Sequence, residues 1–268
     1  MPIITLPDGS TREYPKPVTG EEIAASIGPG LAKAALAMKV DGVQRDIYSV
    51  VDKIAKIEIL SPNQSEGLDI LRHTTTAQVL ARALKELYPG SKLAIGPTID
   101  NGFYYDVESP APIPETDLPK IEARMREIMA EDNTVIREML PRAEAIELFK
   151  KRGEPYKVDI IENAAAGDTS EAGKISIYRQ SNKDGFVDLC RGPHVPSFKH
   201  LSSAFKLTRV SGAYWRGDAK NQQLTRVYGI QFATEKELKA YLTMVEEAEK
   251  RDHRRLGKEL DLFHIEEH

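Results

Sequence analysis

Cysteine, long apolar runs and excess positive charge are all scarce in this chain of 268 residues. Its single cysteine excludes an internal disulfide and suits a reducing compartment, so we expect a cytoplasmic protein. No apolar run approaches the ~20 residues of a membrane span, and the start of the chain, MPIIT, has no secretory-signal pattern. The net charge of −4 argues against indiscriminate nucleic-acid binding, although a local basic face is sufficient for RNA. The length allows two or three domains.

The one cysteine stands in the segment Asp188–His194, which reads DLCRGPH. Arg191, Gly192 and Pro193 favour a turn between Cys190 and His194. Such a turn can aim a thiol, an imidazole and a carboxylate into one cleft. Taken alone, the segment is more often a buried cysteine beside a surface histidine. A distant second histidine, His73, raises the expectation of a shared site.

The first sixty residues predict a small mixed sheet with one helix. Alternating residues flank an Asp-Gly turn, which predicts a hairpin from Ile3 to Tyr14. Thr19 and Glu22 match a capping box, so a helix should run from Gly20 to about Ile27. Further strands are predicted at Val43–Ile47 and Lys56–Leu60.

His73 precedes three threonines, and we expect it at or just before the start of a helix. The helix dipole disfavours the imidazolium there, and a neutral imidazole can accept a proton or bind a metal. For a lone histidine, a capping or surface role is the commoner one.

The middle of the chain alternates predicted strands and helices. Turns at Gly96-Pro97 and Asn101-Gly102 predict strand, turn, strand, in which Tyr104 suits either a core or stacking on an adenine. Helices are predicted at 117–131 and 142–151, a strand at Pro155–Ile161 and a mobile loop at 162–174.

Basic and aromatic residues are interleaved between Ser197 and Arg226, with Lys206, Arg209 and Arg216 among them. This mixture suits contacts to phosphates and bases, and equally a solvated sheet edge above core aromatics. An amphipathic helix should follow, from a capping box at Thr234–Glu237 to about Arg255.

Seven segments occur in the order KLAIGPTIDNGFYYD, PYKV, DLCRGPHV, FKL, SGAYWRGD, RVYG and KRDHRRLGKELDLFH. Together with LPDGS near the start, they resemble the N-terminal half of bacterial threonyl-tRNA synthetases over essentially the whole chain. The resemblance implies an α+β fold, in which a small β-grasp (TGS-like) domain precedes a larger editing domain with an antiparallel sheet and flanking helices. The implied boundaries are a TGS-like domain at 1–61, a linker at 62–67, an editing domain at 68–232 and a helical linker at 233–268.

The resemblance implies an aminoacyl-tRNA deacylase that hydrolyses seryl-tRNA(Thr) at its 3′ end. Serine lacks only one methyl group of threonine, worth ~1–3 kcal/mol, so a synthetase needs a second site to remove it. The catalytic roles implied are water placement by His73 and His194, a contact of Lys157 with the tRNA terminus or the oxyanion, and a pocket wall at Cys190. The expected substrate contacts are Asp188 for the ammonium, then Gln78, Gly96, Tyr104 and Arg191. Lys206, Arg209 and Arg216 are expected to contact tRNA.

The first histidine pair departs from the family pattern. The family's helix reads Arg-His-x-x-x-His before an apolar residue, whereas here RHTTTAQV is one residue longer. Aligned from the left, Ala77 stands at the second histidine; aligned from the helix, Gln78 does. Neither residue is a base, although a glutamine amide can orient a water.

Several alternatives stay open. Cys190 can be a covalent nucleophile with His194 as its base, although an oxygen ester does not require this. His73, Cys190 and His194 form a valid open zinc site, yet we expect no metal, because threonyl-type editing domains generally work without one. ATP, magnesium and zinc would belong to a ligase core that is not in this chain, and the longer family members are expected to be homodimers. Three alternatives to a seryl-tRNA deacylase of a synthetase remain: a tRNA-binding module with a decayed site, a freestanding editing protein and a D-amino-acid proofreader.

Overall fold

The computed structural model describes residues 1–131, 133–164, 173–181 and 185–251. Its N-terminal unit has a five-stranded mixed sheet and a separate two-stranded pair, and the rest of the chain forms antiparallel sheets of five and three strands. The predicted α+β class, with a small β-grasp unit ahead of a larger α+β unit, is confirmed. Among the described residues, no helix combines the length and the apolar character that a bilayer span needs.

The N-terminal unit is a five-stranded sheet of order β2-β1-β7-β4-β5, with β1 and β7 parallel, and a separate β3-β6 pair. Its elements are β1 (Ile3–Thr5), β2 (Thr11–Glu13), β3 (Val18–Thr19), α1 (Gly20–Ile27), α2 (Pro29–Ala34), β4 (Ala37–Val40), β5 (Val43–Asp46), β6 (Val50–Val51) and β7 (Ala55–Leu60). The predicted hairpin and the predicted capping box of α1 are confirmed, with Thr19 accepting from the Glu22 amide. Ile23 of α1 packs on Ile4, Met38 and Ile57 of the sheet, which gives this unit its own core.

His73 lies inside a helix, so its prediction at a helix start is wrong. One helical stretch runs through α3 (Ser65–Thr74), a π-helical segment (Thr75–Leu80) and α4 (Ala81–Leu87). The helix begins within the predicted linker because Ile70 and Leu71 are buried against Leu36 and Leu60 of the N-terminal unit. Burial of an apolar face outweighs the polar composition of the first turn.

The π-helical segment holds the extra residue seen in the sequence. The amide of Ala81 donates to the carbonyl of Thr76, five residues back, whereas an α-helix bonds four residues back. The π turn therefore takes up one additional residue while the flanking α-helical faces stay in place. All six residues of the segment are buried.

The second unit consists of two antiparallel sheets with helices packed on them. Its remaining elements are β8 (Lys92–Leu93), β9 (Thr98–Ile99), β10 (Gly102–Glu108), α5 (Leu118–Ala130), β11 (Val135–Pro141), α6 (Arg142–Lys151), α7 (Pro155–Asn163), β12 (Lys174–Gln180), β13 (Val187–Leu189), β14 (Phe205–Tyr214), β15 (Gln223–Gln231) and α8 (Glu235–Lys250). One sheet has the order β14-β15-β10-β8, with β9 beside β10, and the other has the order β11-β12-β13. Their main core joins Phe103 and Tyr105 of β10 to Ile121 and Met125 of α5.

The strand predicted at Pro155–Ile161 is helix α7, so that prediction is wrong. Pro155 occupies the first turn, where its fixed φ favours a helix and its missing N–H costs nothing. Val158 and Ile161 then pack on Phe149 of α6. Most of the loop predicted at 162–174, and the end of the last helix beyond 251, lie outside the described residues.

Candidate active site

A cleft of about 640 Å³ opens between α3, α7 and the β12–β13 pair. That volume falls in the range of pockets for small ligands. Its lining residues are His73, Ala77, Ile95, Gly96, Pro97, Lys157, Ile160, Ile161, Ala164, Lys174, Ile175, Ser176, Asp188, Leu189, Cys190, Arg191 and Gly192. Segments more than a hundred residues apart thus share one cavity.

His73 and Cys190 meet at the floor of this cleft. Nε2 of His73 lies 2.9 Å from Sγ of Cys190, so the two atoms form a hydrogen bond. The amide of Gly192 also donates to Sγ, at 3.3 Å. Gly192 has a positive φ of 71°, and a Cβ there would lie 1.8 Å from the Tyr178 hydroxyl. Only glycine fits this bend, which turns the chain from Cys190 toward His194.

His194 lies behind His73 and is fully buried. The two imidazole rings stack with centroids 4.7 Å apart and planes 9° apart. Thr74 Oγ donates to the Ile70 carbonyl, so its contact with Nδ1 of His194 at 3.1 Å needs a proton on Nδ1. Nε2 of His194 therefore carries the lone pair, and this atom is buried with no hydrogen-bonding partner in the described chain.

Both imidazoles are neutral at physiological pH. Burial lowers the pKa of His73 to about 4, opposed in part by the charges of Asp188 and Asp46. Burial also lowers the pKa of His194, with the nearby Cys190 opposing it. Two stacked neutral rings can accept a proton or polarise a water, and neither repels the other.

A buried ion pair forms one wall of the cleft. Lys157 Nζ lies 2.6 Å from Asp188 Oδ1, and both side chains are 3% exposed. The Tyr105 hydroxyl bridges the pair, donating to Asp188 at 3.2 Å and accepting from Lys157 at 3.1 Å. Lys157 reaches the cleft as predicted, but from helix α7 and not from the strand predicted at the same residues. The wall offers one cation and one anion to a ligand.

The chain matches two families in this region and in the N-terminal unit. Residues 2–61 match the TGS domain, and residues 175–228 match the threonyl and alanyl tRNA synthetase second additional domain. The chain is 51% identical over 264 residues to the threonine--tRNA ligase of Parvibaculum lavamentivorans, covering 98% of this chain and 39% of that protein. The corresponding ligases of Paracidovorax citrulli and Acidiphilium cryptum are 51% and 50% identical, over 99% and 100% of this chain.

The chain contains a TGS domain and a threonyl and alanyl tRNA synthetase second additional domain, and threonine--tRNA ligases are its homologues. It spans about 40% of the length of the curated relatives it matches. Cys190 and His194 lie in the matched second additional domain, whereas His73 and Lys157 precede the matched residues and reach the cleft from α3 and α7.

Two residues predicted at the substrate site of this synthetase domain lie elsewhere. Ala77 faces the cleft, whereas Gln78 turns away and accepts from Gln180 through both its carbonyl and its side chain. Ala77, four residues after His73, shares its helical face, whereas Gln78 lies five residues after His73. Tyr104 points to the opposite face of β10 from Tyr105, as strand alternation requires, and packs on Arg226. Gly96 and Arg191 line the cleft as expected.

The residues predicted to contact tRNA lie on or just after β14. Lys206 and Arg209 are exposed, and the Arg209 guanidinium lies 4.1 Å from the ring of Tyr228 on β15. Beside it, Arg226 lies 3.9 Å from the ring of Tyr104. Arg216 is seven residues farther along and pairs with Asp159 at 2.6 Å. The cation and ring pairs form an outer face of the sheet, which we name the Arg209–Tyr104 face, with Tyr228 and Arg226 between.

Three side chains at the cleft could hold a metal ion. The ligand atoms of His73, Cys190 and His194 all lie within 4.8 Å of one another. Two imidazole nitrogens and one sulfur are a donor set that zinc accepts.

Sequence analysis missed three residues that shape the site. Thr74 fixes the tautomer of His194, Tyr105 bridges Lys157 and Asp188, and Asp46 of the N-terminal unit accepts from the His194 amide at 3.0 Å. Thr74 is adjacent to His73 and Tyr105 lies in the aromatic run, so both had a local signal. Asp46 had none, because only the docking of the two units brings it near His194.

Proposed function

We propose that the cleft hydrolyses the ester bond of seryl-tRNA(Thr) and so proofreads the product of a threonyl-tRNA synthetase. The observation that carries this proposal is the 2.9 Å contact between His73 and Cys190, beside a neutral, stacked His194. Ester hydrolysis needs a placed water and stabilisation of an oxyanion, and no redox or phosphoryl-transfer group. The family match and the cleft size are consistent with an aminoacyl-adenosine end as the ligand.

In this proposal, Asp188 and Lys157 bind different parts of the substrate. The seryl ammonium approaches Asp188 and competes with Lys157 for the carboxylate. Lys157 is then free to stabilise the developing oxyanion or the terminal ribose. A preformed ion pair supplies both charges without recruiting either from solvent, which favours the transition state.

His73 is the residue we assign to the water. It is the imidazole that lines the cleft, and burial keeps it neutral. The His194 ring stacks on the buried side of His73, and its ring nitrogen also lies close to Cys190 Sγ. Cys190 lines the amino-acid pocket, and the water attacks the ester directly, so no acyl-enzyme forms on sulfur.

We propose that this hydrolysis needs no metal. Two ligands on one tetrahedral zinc would be roughly 3.5 Å apart for a nitrogen and a sulfur. The 2.9 Å between His73 Nε2 and Cys190 Sγ is a hydrogen-bond distance instead. Ala77, where the family pattern aligned from the left has its second histidine, supplies no fourth ligand. Prolonged chelation should leave the rate unchanged, and a loss restored by zinc alone would contradict this point.

The proposed macromolecular partner is tRNA(Thr), and the Arg209–Tyr104 face is its docking surface. Arginines held over aromatic rings are suited to phosphates and to unstacked bases. A longer protein that contained this chain, with the length of its curated relatives, would join threonine to tRNA with ATP, magnesium and zinc in its ligase core, as a cytoplasmic homodimer.

One observation supports a second candidate, a tRNA-binding domain with a decayed hydrolytic site. Ala77 puts a methyl group where the family pattern, aligned from the left, has an imidazole. The two candidates differ in one assay, the decay of Ser-tRNA(Thr) and Thr-tRNA(Thr) in the presence of the chain. Faster loss of serine alone supports hydrolysis. Equal, spontaneous decay of both with retained tRNA binding supports the decayed site, and preferential loss of D-threonine would indicate a D-amino-acid proofreader.

For the same assay, His73→Ala should abolish the enzymatic part of the decay, whereas Cys190→Ser should retain part of it. Serine keeps a hydrogen-bonding group opposite His73 and cannot match the nucleophilicity of a thiolate. Complete loss in the serine variant, together with inactivation of the unmodified chain by a thiol reagent, would favour a covalent route through Cys190.

A further inference from the structure

The N-terminal unit reaches into the second unit at one buried carboxylate. Asp46, the last residue of β5, is 1% exposed. Its Oδ1 accepts from the His194 amide at 3.0 Å and its Oδ2 accepts from the Tyr178 hydroxyl at 2.9 Å. Both partners lie more than a hundred residues away in the second unit, so this contact exists only when the two units are docked.

Both partners of Asp46 contact the candidate active site. The Tyr178 ring packs edge-on against the His194 ring, with centroids 4.4 Å apart. The Tyr178 hydroxyl lies directly under Gly192, at the bend that follows Cys190. Asp46 therefore fixes the main chain of His194 on one side and, through Tyr178, the ring of His194 and the bend on the other.

The neighbouring interdomain contact offers a comparison. The Tyr48 hydroxyl donates to the Val135 carbonyl at 3.2 Å and accepts from the Arg137 amide at 3.0 Å. These bonds join the same two units, but they end on the backbone of β11 and do not reach the Cys190–His194 segment. Tyr48 lies two residues after Asp46 in the sequence and joins the same two units without touching the site. It therefore serves as the matched control for Asp46.

A buried carboxylate is a costly way to join two domains. Removing it from water is unfavourable, and burial raises the pKa of Asp46 above its ordinary value in spite of its two hydrogen bonds. Docking alone can use apolar contacts, as the packing of Ile70 and Leu71 on Leu36 and Leu60 already does. The benefit that a carboxylate adds is directional, because its two oxygens orient an amide and a hydroxyl at once.

We infer that Asp46 is a positioning residue of the hydrolytic site, so that the TGS domain completes the editing site of its neighbour. This inference rests on the proposed function. Asp46 acts through His194 and Tyr178, which set the depth and tilt of the imidazole stacked under His73. The TGS domain is then required for the rate of hydrolysis and not only for stability.

The test compares three variants of the full chain in steady-state hydrolysis of Ser-tRNA(Thr). Asp46→Ala should lower kcat about 30-fold or more with KM within about threefold, because a misplaced group slows the chemical step more than binding. Asp46→Asn should recover most of kcat, since its Oδ1 still accepts from His194 and its amide can donate to Tyr178. Tyr48→Phe should leave kcat within about twofold.

Thermal unfolding of the same variants separates positioning from stability. If kcat falls in step with the unfolding temperature for Asp46→Ala and Tyr48→Phe alike, the contact is only structural and the inference is overturned. Full activity of Asp46→Ala would overturn it as well.

A second measurement keeps the inference testable if the chain does not hydrolyse Ser-tRNA(Thr) at all, an outcome that would sink the proposed function alone. The imidazole ¹⁵N signals of His73 and His194 can be compared between the unmodified chain, Asp46→Ala and Tyr48→Phe. Shifts of the His194 ring signals in Asp46→Ala only would support positioning. Unchanged ring signals in that variant would contradict it.

Discussion

Single residues at the cleft are held in the protonation states that water chemistry needs. His73 is neutral because burial outweighs the attraction of Asp188 and Asp46 for a proton. His194 is neutral because burial lowers its pKa against the opposing effect of Cys190, and Thr74 fixes its tautomer. The cost of this arrangement should appear as a dependence of stability on pH.

Acidification should destabilise the protein through His73. The unfolded chain takes up a proton on this residue near pH 6.5 and the folded protein only near pH 4. The unfolded state therefore binds more protons between these values, and the free energy of unfolding falls as pH falls through that window. The contribution is up to roughly 3 kcal/mol, at about 1.4 kcal/mol per pKa unit. Denaturant titrations at several pH values should show a shallower fall for His73→Gln, and equal slopes for the two proteins would contradict the assignment.

The two candidate positions for the missing histidine should respond differently to substitution. Ala77→His places an imidazole into the open cleft, so we expect a free energy of unfolding within about 1 kcal/mol of the unmodified chain. Gln78→His breaks the buried bonds to Gln180 and should cost about 1–3 kcal/mol. Denaturant titration of both variants measures the difference, and the reverse order of stability would mean that Gln78 faces the cleft.

The meeting of His73 and Cys190 could be predicted from residue types, but the residues packed behind them could not. The sequence alone shows the single cysteine, Cys190, near His194. It also shows a second histidine, His73, before a run of three threonines. Whether Gln78 faces the cleft depends on its rotation about the helix axis, which the sequence pattern left open. Whether Tyr104 faces the cleft depends on which side of β10 its side chain takes. Asp46 acts across a domain contact, for which no local pattern exists.

At the level of elements, the π-helical segment is the feature that sets the site apart. It takes up one residue between His73 and the core face that starts at Val79. The hydroxyl of Thr75 within it is buried with no hydrogen-bonding partner in the described chain. The segment therefore stores a local cost in return for keeping both flanking faces in register.

Deleting Thr75 should convert the segment to regular α-helix without unfolding the protein. The residue now numbered Gln78 would then lie four positions after His73, on the same helical face. We expect cooperative unfolding, measured by circular dichroism, with a midpoint close to that of the full chain, because removal of the unpartnered Thr75 hydroxyl offsets the loss of the Gln78 bonds to Gln180. Combining the deletion with Gln78→His should recreate the family pattern and raise the rate of seryl-tRNA hydrolysis. Loss of cooperative unfolding in the single deletion would show that the extra residue is required by the fold.

Elements with clear terminal signals were predicted correctly from the sequence. The capping box of α1, the hairpin turn and the helices at Leu118–Ala130 and Arg142–Lys151 are confirmed. Helix α7 was predicted as a strand, although Pro155 in its first turn is a signal for the start of a helix. The start of α3 was placed too late, since contacts with the N-terminal unit stabilise its first turns.

At the level of the whole molecule, a chain of net charge −4 must localise its basic residues to bind RNA. On the Arg209–Tyr104 face, Arg209 and the exposed Lys206 supply this charge, whereas Arg226 forms an ion pair with Asp106 at 2.7 Å.

Substitutions on this face should weaken tRNA binding in a salt-dependent way. Arg209→Gln and Lys206→Gln should each reduce the slope of log affinity against log salt by about 1, since each removes one phosphate contact. Lys53→Gln, exposed on the N-terminal unit, is the control and should leave the slope unchanged. Anisotropy titrations of labelled tRNA(Thr) between about 50 and 200 mM salt give the slopes. Equal slopes for all four proteins would mean that tRNA binds to a surface other than the Arg209–Tyr104 face.

The central claim is that one crevice, formed by α3 and the Cys190–His194 bend, holds a seryl ester for attack by water. The most direct measurement is a titration of isotopically labelled protein with a non-hydrolysable seryl-amide analogue of the 3′-terminal adenosine, with the threonyl analogue as its match. We predict that the seryl analogue binds at least about tenfold more tightly and shifts the signals of His73 and Cys190. Equal binding of the two analogues, or shifts confined to residues outside the cleft, would contradict the account.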